Sequence, residues 1–242
     1  MSVDLTLLQG LIITLESVSI GLLFTLVCLF FKVSNTRRSI FLLGIPFGFF
    51  FLLLSSLFLD VHLIDSIFQN VSPFSRSIMW LRVVTQTIGF VLIAFSYLFA
   101  GRYQNTTKRS YSIILSGTAA LIFGAFIILF LANPIGLDSV YSNNEIFAAI
   151  NLALLSYVIL FLVRKLQLIK LRVTDMIVAP IAFLALWLGQ FSFLVFAFAE
   201  GGTIALVGSQ IARVVGLALF IHLYYQVSKE TLNNAPEQTK QS

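Results

Sequence analysis

Seven residues of this 242-residue chain could do chemistry, yet stand in runs otherwise fit only for lipid: Glu16, Arg82, Gln86, Asn151, Gln190, Gln210 and Arg213. A charged side chain in an apolar span costs about 2.5–3.5 kcal/mol by insertion scales, so these groups should face protein or water. Arg82 and Gln86 are one helical turn apart and share a face, so they look into the same interior space. Glu16 and Arg213 carry opposite charges and can pair if the first and last helices of a ring are neighbours. Such a pair reads either as a lock between those helices or as a ligand counter-charge with a proton-responsive carboxylate. Arg82 reads either as a cavity cation or as a side chain snorkelling to the outer interface beside Trp80.

The elements that must position these groups follow from composition. Hydrophobic residues make up 59% of the chain and charged residues 10%, with a mean hydropathy of +0.99. A soluble domain could not stay in solution with so little polar surface. Runs of about twenty apolar residues recur, which predicts an all-α integral membrane protein. Seven spans are expected, at about 7–31, 40–59, 78–100, 111–131, 146–163, 176–199 and 205–226. The first is preceded by Asp4 rather than by a basic residue and is too long for a signal peptide, so it should remain as a mature helix.

Loop charges alternate. Lys32, Arg37 and Arg38, then Arg102, Lys108 and Arg109, then Arg164, Lys165, Lys170 and Arg172, with Asp175 the one acidic residue among them, fall on one side; Asp4, Asp60, Asp65 and a lone Arg76, then Asp138, Glu145 and Glu200 fall on the other. The positive-inside bias places the N-terminus outside and the C-terminus in the cytoplasm of a multi-pass cell-membrane protein. The net charge of +5 therefore reflects topology, and nucleic acid is not an expected partner. The polar tail, residues 228–242, is expected to be disordered.

Counting about 1.5 Å per residue from the outer surface, Glu16, Gln86, Gln190 and Arg213 lie roughly 12–14 Å deep. Arg82, Asn151 and Gln210 lie roughly 6–8 Å deep. A polar layer in one leaflet predicts a cavity open outward and closed below by Phe, Leu and Ile. Arg82 and Arg213 against Glu16 leave a local excess of about one positive charge, which favours an anionic ligand. An internal echo accompanies the layer: Arg82-Val83-Val84 and Arg213-Val214-Val215 lie 131 apart, Pro46 and Pro180 134, Glu16 and Asn151 135. The spacing suggests that spans 1–3 and 5–7 are parallel repeats joined by span 4, as in some transporters, with Pro46 and Pro180 as hinge points. Chance recurrence in a low-complexity apolar sequence is the alternative.

Several features read more plainly. Residues 60–77 have near-helical apolar spacing and form either a surface lid or an ordinary loop. Asp60, His62 and Asp65 are potential ligands at a spacing that is not a recognised metal site. Asn70 and Asn105 head glycosylation sequons, the second on the expected inner side. Gly44 and Gly48 predict close helix packing, and Cys28 a small buried hydrophobe. Two histidines cannot build a multi-histidine zinc centre, and serine-hydrolase and P-loop motifs are absent, so an enzyme is not expected.

The seven-span, N-outside plan resembles the microbial rhodopsins. Trp80-Leu81-Arg82 looks like that family's W-x-R near the outer end of its third helix, and Arg213 lies near where its retinal-bearing lysine would sit. The likeness is one of architecture, because no lysine lies in any span and span 3 has no carboxylate counter-ion; no retinal or other cofactor is expected. The leading expectation is a receptor-like or sensory protein that binds a small polar or anionic ligand in the outer cavity and acts through a separate membrane or cytoplasmic partner. A small-solute or ion transporter built from two three-helix repeats, or a scaffold subunit of a membrane complex, is the alternative.

Overall fold

Long apolar runs in lipid can satisfy their peptide groups in only a few ways, and the single-segment solution is the helix. The computed structural model describes residues 5–37, 44–67, 73–102, 138–168, 173–198 and 203–238. Each segment is one α-helix: α1 (Leu5–Arg37), α2 (Gly44–Ile67), α3 (Pro73–Arg102), α4 (Asp138–Leu168), α5 (Val173–Phe198) and α6 (Thr203–Gln238). All six are long and apolar enough to cross a membrane, and no strand occurs among the described residues. The protein is a multi-pass helical membrane protein. The expected span at 111–131 and both sequons lie outside the described residues.

Each helix packs on the next, and α1 closes the ring against α6. Helices α3 and α4 pack directly on each other although residues 103–137 separate them. They run parallel: Gln86 and Asn151 share one cleft, and about three turns further along both helices Tyr97 meets Phe161, ring centroids 5.9 Å apart.

Inside the ring, Phe220 stacks edge-on against Phe183 at 4.7 Å and against Phe49 at 5.3 Å. Edge-to-face geometry suits the charge distribution of the rings. Leu23, Leu26, Ile93, Leu155, Val158 and Leu217 complete this buried apolar floor. Large apolar side chains also cover the outside, among them Phe24, Leu160, Ile181, Leu188 and Ile211. That exterior suits acyl chains and leaves the polar residues to the interior.

Two helix pairs approach backbone to backbone. A Cβ added to Gly89 of α3 would stand 2.8 Å from the Gly48 carbonyl of α2, and one on Gly216 of α6 would stand 2.9 Å from the Ala182 carbonyl of α5. Small residues permit such contact, and the expected Gly44/Gly48 packing serves α2 against α3.

Four expectations need correction. In the outer connection, residues 60–67 continue α2 and residues 73–77 open α3 at Pro73, a residue favoured in a first helical turn, so these residues form neither a separate lid nor a loop. Pro46 stands in the first turn of α2, where no intrahelical bond is lost, so of the two expected hinges Pro180 alone lies in a helix interior. Cys28 is exposed on the outer face of α1 rather than buried. Helix α6 continues through much of the tail expected to be disordered, reaching Gln238. A helix already nucleated propagates cheaply through Lys, Glu, Leu and Gln.

Candidate functional site

The polar layer resolves into two clusters above the aromatic floor. In the first, Arg213 Nη1 of α6 donates to Glu16 Oε1 of α1 at 2.8 Å. Its Nη2 donates to Ser56 Oγ of α2, which in turn donates to the Leu52 carbonyl at 3.2 Å. Glu16 is fully buried and the Arg213 side chain is 16% exposed. The expected neighbouring of the first and last helices therefore holds, and an ion pair spans their seam. Glu16 Oε2 has no hydrogen-bond partner. Asp60, one turn beyond Ser56, lies within electrostatic reach of both Glu16 and Arg213. Among the described residues Glu16 and Asp60 thus balance Arg82 and Arg213, which corrects the expected excess of positive charge.

The second cluster lines a cleft among α3, α4 and α5. Its walls are Arg82, Val83 and Gln86 of α3; Phe147, Ala148 and Asn151 of α4; and Gln190 and Phe193 of α5. The cleft has about 260 Å³ of free space including its mouth, but only about 10 Å³ admits the centre of a water molecule. That is room for roughly one water. The Arg82 guanidinium lies over the Phe193 ring, 5.5 Å from its centroid, where the ring quadrupole attracts a cation. It also feels the charges of Glu16 and Arg213, so the clusters are electrostatically coupled. Among the described residues of the lining, Arg82 is the one charged group. Asn151 is 2% exposed and its Oδ1 has no partner.

Four of the seven expected site residues therefore meet in the cleft: Arg82, Gln86, Asn151 and Gln190. Glu16 and Arg213 meet each other instead. Gln210 is buried on α6 one turn before Arg213, outside the cleft lining, with its Oε1 unpartnered. Sequence reasoning missed Ser56 and treated Asp60 as a loop residue. The Ser55-Ser56 pair inside Phe49–Phe58 was the available signal, since adjacent hydroxyls in an apolar run mark an inward face. The helix sets Asp60 and His62 about 200° apart, on opposite sides, and no group of three metal-ligating residues forms among the described residues.

The cleft can hold a small polar group by hydrogen bonds and a negative charge by the guanidinium. Comparison with family models, with curated proteins and with solved structures returns no match. The architectural likeness to microbial rhodopsins consequently transfers no site residue to this chain.

Proposed function

We propose that this is a seven-helix membrane protein that binds a small polar or anionic ligand in the α3–α4–α5 cleft and signals through a separate partner. The observation that carries the reading is a cleft whose described residues supply one cation, three carboxamides and two aromatic rings. A buried acceptor without a partner, the Asn151 Oδ1, is costly to maintain in a membrane interior, and a ligand that donates to it recovers that cost. Among the described residues, no nucleophile, metal cluster or acid–base pair lines the cleft, and binding rather than catalysis is the function assigned to it.

The parallel course of α3 and α4 supports a seventh crossing within residues 103–137, because two parallel neighbours need an odd number of crossings between them. The alternating loop charges support an outward-facing N-terminus in the cell membrane. On that topology, cysteines introduced at Asn70 and Asp138 in a Cys28→Ala background react with an impermeant thiol reagent outside intact cells, and one at Asn105 does not. The opposite labelling pattern would turn the cleft toward the cytoplasm.

The binding reading is tested by thermal unfolding of purified protein with small organic anions and their neutral analogues. Wild type should be stabilised and Arg82→Gln should lose the response while keeping its own melting temperature. A lowered melting temperature with an unchanged ligand response would make Arg82 structural. One observation favours the transporter as a second reading: the two backbone-close pairs, α2–α3 and α5–α6, repeat one packing arrangement, as in transporters built from parallel repeats.

A further inference from the structure

The glycine contacts set an internal register. Gly89 is received by the carbonyl of Gly48 and the side chain of Leu52, and Gly216 by the carbonyl of Ala182 and the side chain of Leu186. From 48 to 182 and from 52 to 186 is 134 positions, and from 89 to 216 is 127. The α2–α5 register is supported by burial, since Pro46, Gly48, Phe49, Leu52 and Ser55 are buried and so are Pro180, Ala182, Phe183, Leu186 and Gly189. The same register sets Ser56 level with Gln190 and Gln86 level with Arg213. Ser56 and Arg213 touch, and Gln190 and Gln86 share the cleft. Each pair is joined by one buried residue from the third helix of its half, Glu16 from α1 or Asn151 from α4.

One turn further along, the halves differ. Arg213 meets Ser56 where Phe220 meets Phe49, so α2 and α6 run antiparallel. Asp60, four residues past Ser56, and Gln210, three residues before Arg213, therefore occupy the next level together. Their counterparts by the register are Leu194 and Val83. Apolar side chains meet the packing at this level in the second half, so the fold itself does not call for polar ones.

The polar ones carry unmet acceptors. Glu16 Oε2, Asp60 Oδ1 and Gln210 Oε1 are buried atoms, and none accepts a hydrogen bond. Glu16 is 0% and Gln210 4% exposed. Their helices meet at one seam, with α1 packed on both α2 and α6. Gly189 of α5 approaches the Ser209 carbonyl, and Gly216 approaches Ala182, which sets α5 on one side of Arg213. Gln210 lies about 60° round on the other side, toward α1. Asp60 is within electrostatic reach of Glu16 and Arg213. The Arg213 guanidinium is engaged by Glu16 Oε1 and Ser56 and donates to none of the three oxygens.

A proton on one carboxyl would supply a single donor, and a water two. A cation serves all three at once, and carboxylate and amide oxygens suit a hard ion. Within the cluster Glu16, Asp60 and Arg213 sum to one negative charge, which an ion of one unit neutralises. A divalent ion would leave net charge in a layer of low dielectric. The burial of the three atoms favours a bare ion over an organic ammonium, and the partly exposed Asp60 gives it a way in.

We infer that Glu16 Oε2, Asp60 Oδ1 and Gln210 Oε1 form a binding site for one monovalent cation, sodium, at the seam of α1, α2 and α6. The ion joins the three helices and completes the ion pair on the side that Arg213 leaves unfilled. The site stands apart from the α3–α4–α5 cleft and does not depend on what that cleft binds.

The probe is sodium chloride exchanged for choline chloride at constant ionic strength, added to purified sodium-free protein. The readouts are unfolding temperature and retention of radioactive sodium. Sodium should raise the unfolding temperature saturably, as a ligand of the folded state does, and choline should not. Asp60→Asn and Gln210→Leu leave the Glu16–Arg213 pair in place, and each should weaken the sodium midpoint by about tenfold or more for the loss of one ligand. Equal unfolding temperatures in the two salts, with no sodium retained by wild type, would overturn the site whatever the variants do. A sodium response unchanged in both variants would overturn it by placing the ion elsewhere. Stabilisation by acid that is equal in both salts and absent from Asp60→Asn would replace the ion with a proton held by the carboxylates.

Discussion

Where α1, α2 and α6 meet, Arg213 reaches Glu16 and Ser56 and the polar layer is closed. Where α4, α5 and α3 meet, the corresponding positions are Asn151, Gln190 and Gln86, and the space between them is a cleft. The packing beneath is shared, down to a glycine received by a carbonyl and a leucine in each half. What differs is the buried residue at their centre, the charged Glu16 in one half and the neutral Asn151 in the other. A buried ion pair satisfied by its neighbours fixes a helix seam. A neutral amide whose buried oxygen has no partner keeps a seam available to something else.

The largest effect expected from this contrast lies in the charged half. Glu16→Gln strands Arg213 in a layer of low dielectric, and breaking a buried pair typically costs about 3–5 kcal/mol. Arg213→Met should be comparably harmful, because it leaves a fully buried carboxylate without a cation. Combining the two removes both charges and should recover much of the loss, since buried pairs are often replaceable by neutral groups. A double-mutant cycle on unfolding in lipid or detergent measures the coupling. Simple additivity would mean that the pair does not hold α1 to α6.

A smaller effect tests the shared packing. Gly89→Val and Gly216→Val each drive a branched side chain into a carbonyl less than 3 Å away. Overpacking of this kind costs about 1–3 kcal/mol, and the two losses should match. A variant that is harmless at one glycine and disruptive at the other would break the register, and with it the equivalence of the two clusters.

Much of this could be read from the chain alone, for physical reasons that also mark where reading fails. Span length and loop charge are set by the bilayer, so six of the seven expected spans coincide with helices, and the remaining one lies outside the described residues. The helix ends were harder: α2 and α3 run past the apolar core because a helix, once formed, extends into polar sequence. The inward polar residues were visible because lipid excludes them, but their grouping was not, since it depends on how the helices are rotated. The internal echo shows the same limit. The proline match at 134 agrees with the packed register, whereas the Arg-Val-Val match at 131 misses the 127 set by Gly89 and Gly216 by one helical turn. A slip of four residues keeps the face and loses the level, so sequence alone could not expose it. Ser56 is hard to single out because serine hydroxyls bonded to their own helix are common in membranes, and its second bond, to Arg213, depends on how α6 is rotated.

The smallest effect distinguishes the halves by sign. Asn151 is almost fully buried and its Oδ1 has no partner in the ligand-free protein. Leaving a buried acceptor unsatisfied costs about 1–3 kcal/mol, and replacement by an apolar group of similar shape removes that cost. Asn151→Leu should therefore leave stability unchanged or raise it by about 1 kcal/mol, in contrast to the loss expected at Glu16, its counterpart in α1. Unfolding measured beside wild type without added ligand gives the sign directly. Were Asn151→Leu as damaging as Glu16→Gln, the amide cluster would be a structural lock like the ion pair, and the cleft would have no stability set aside for a ligand to return.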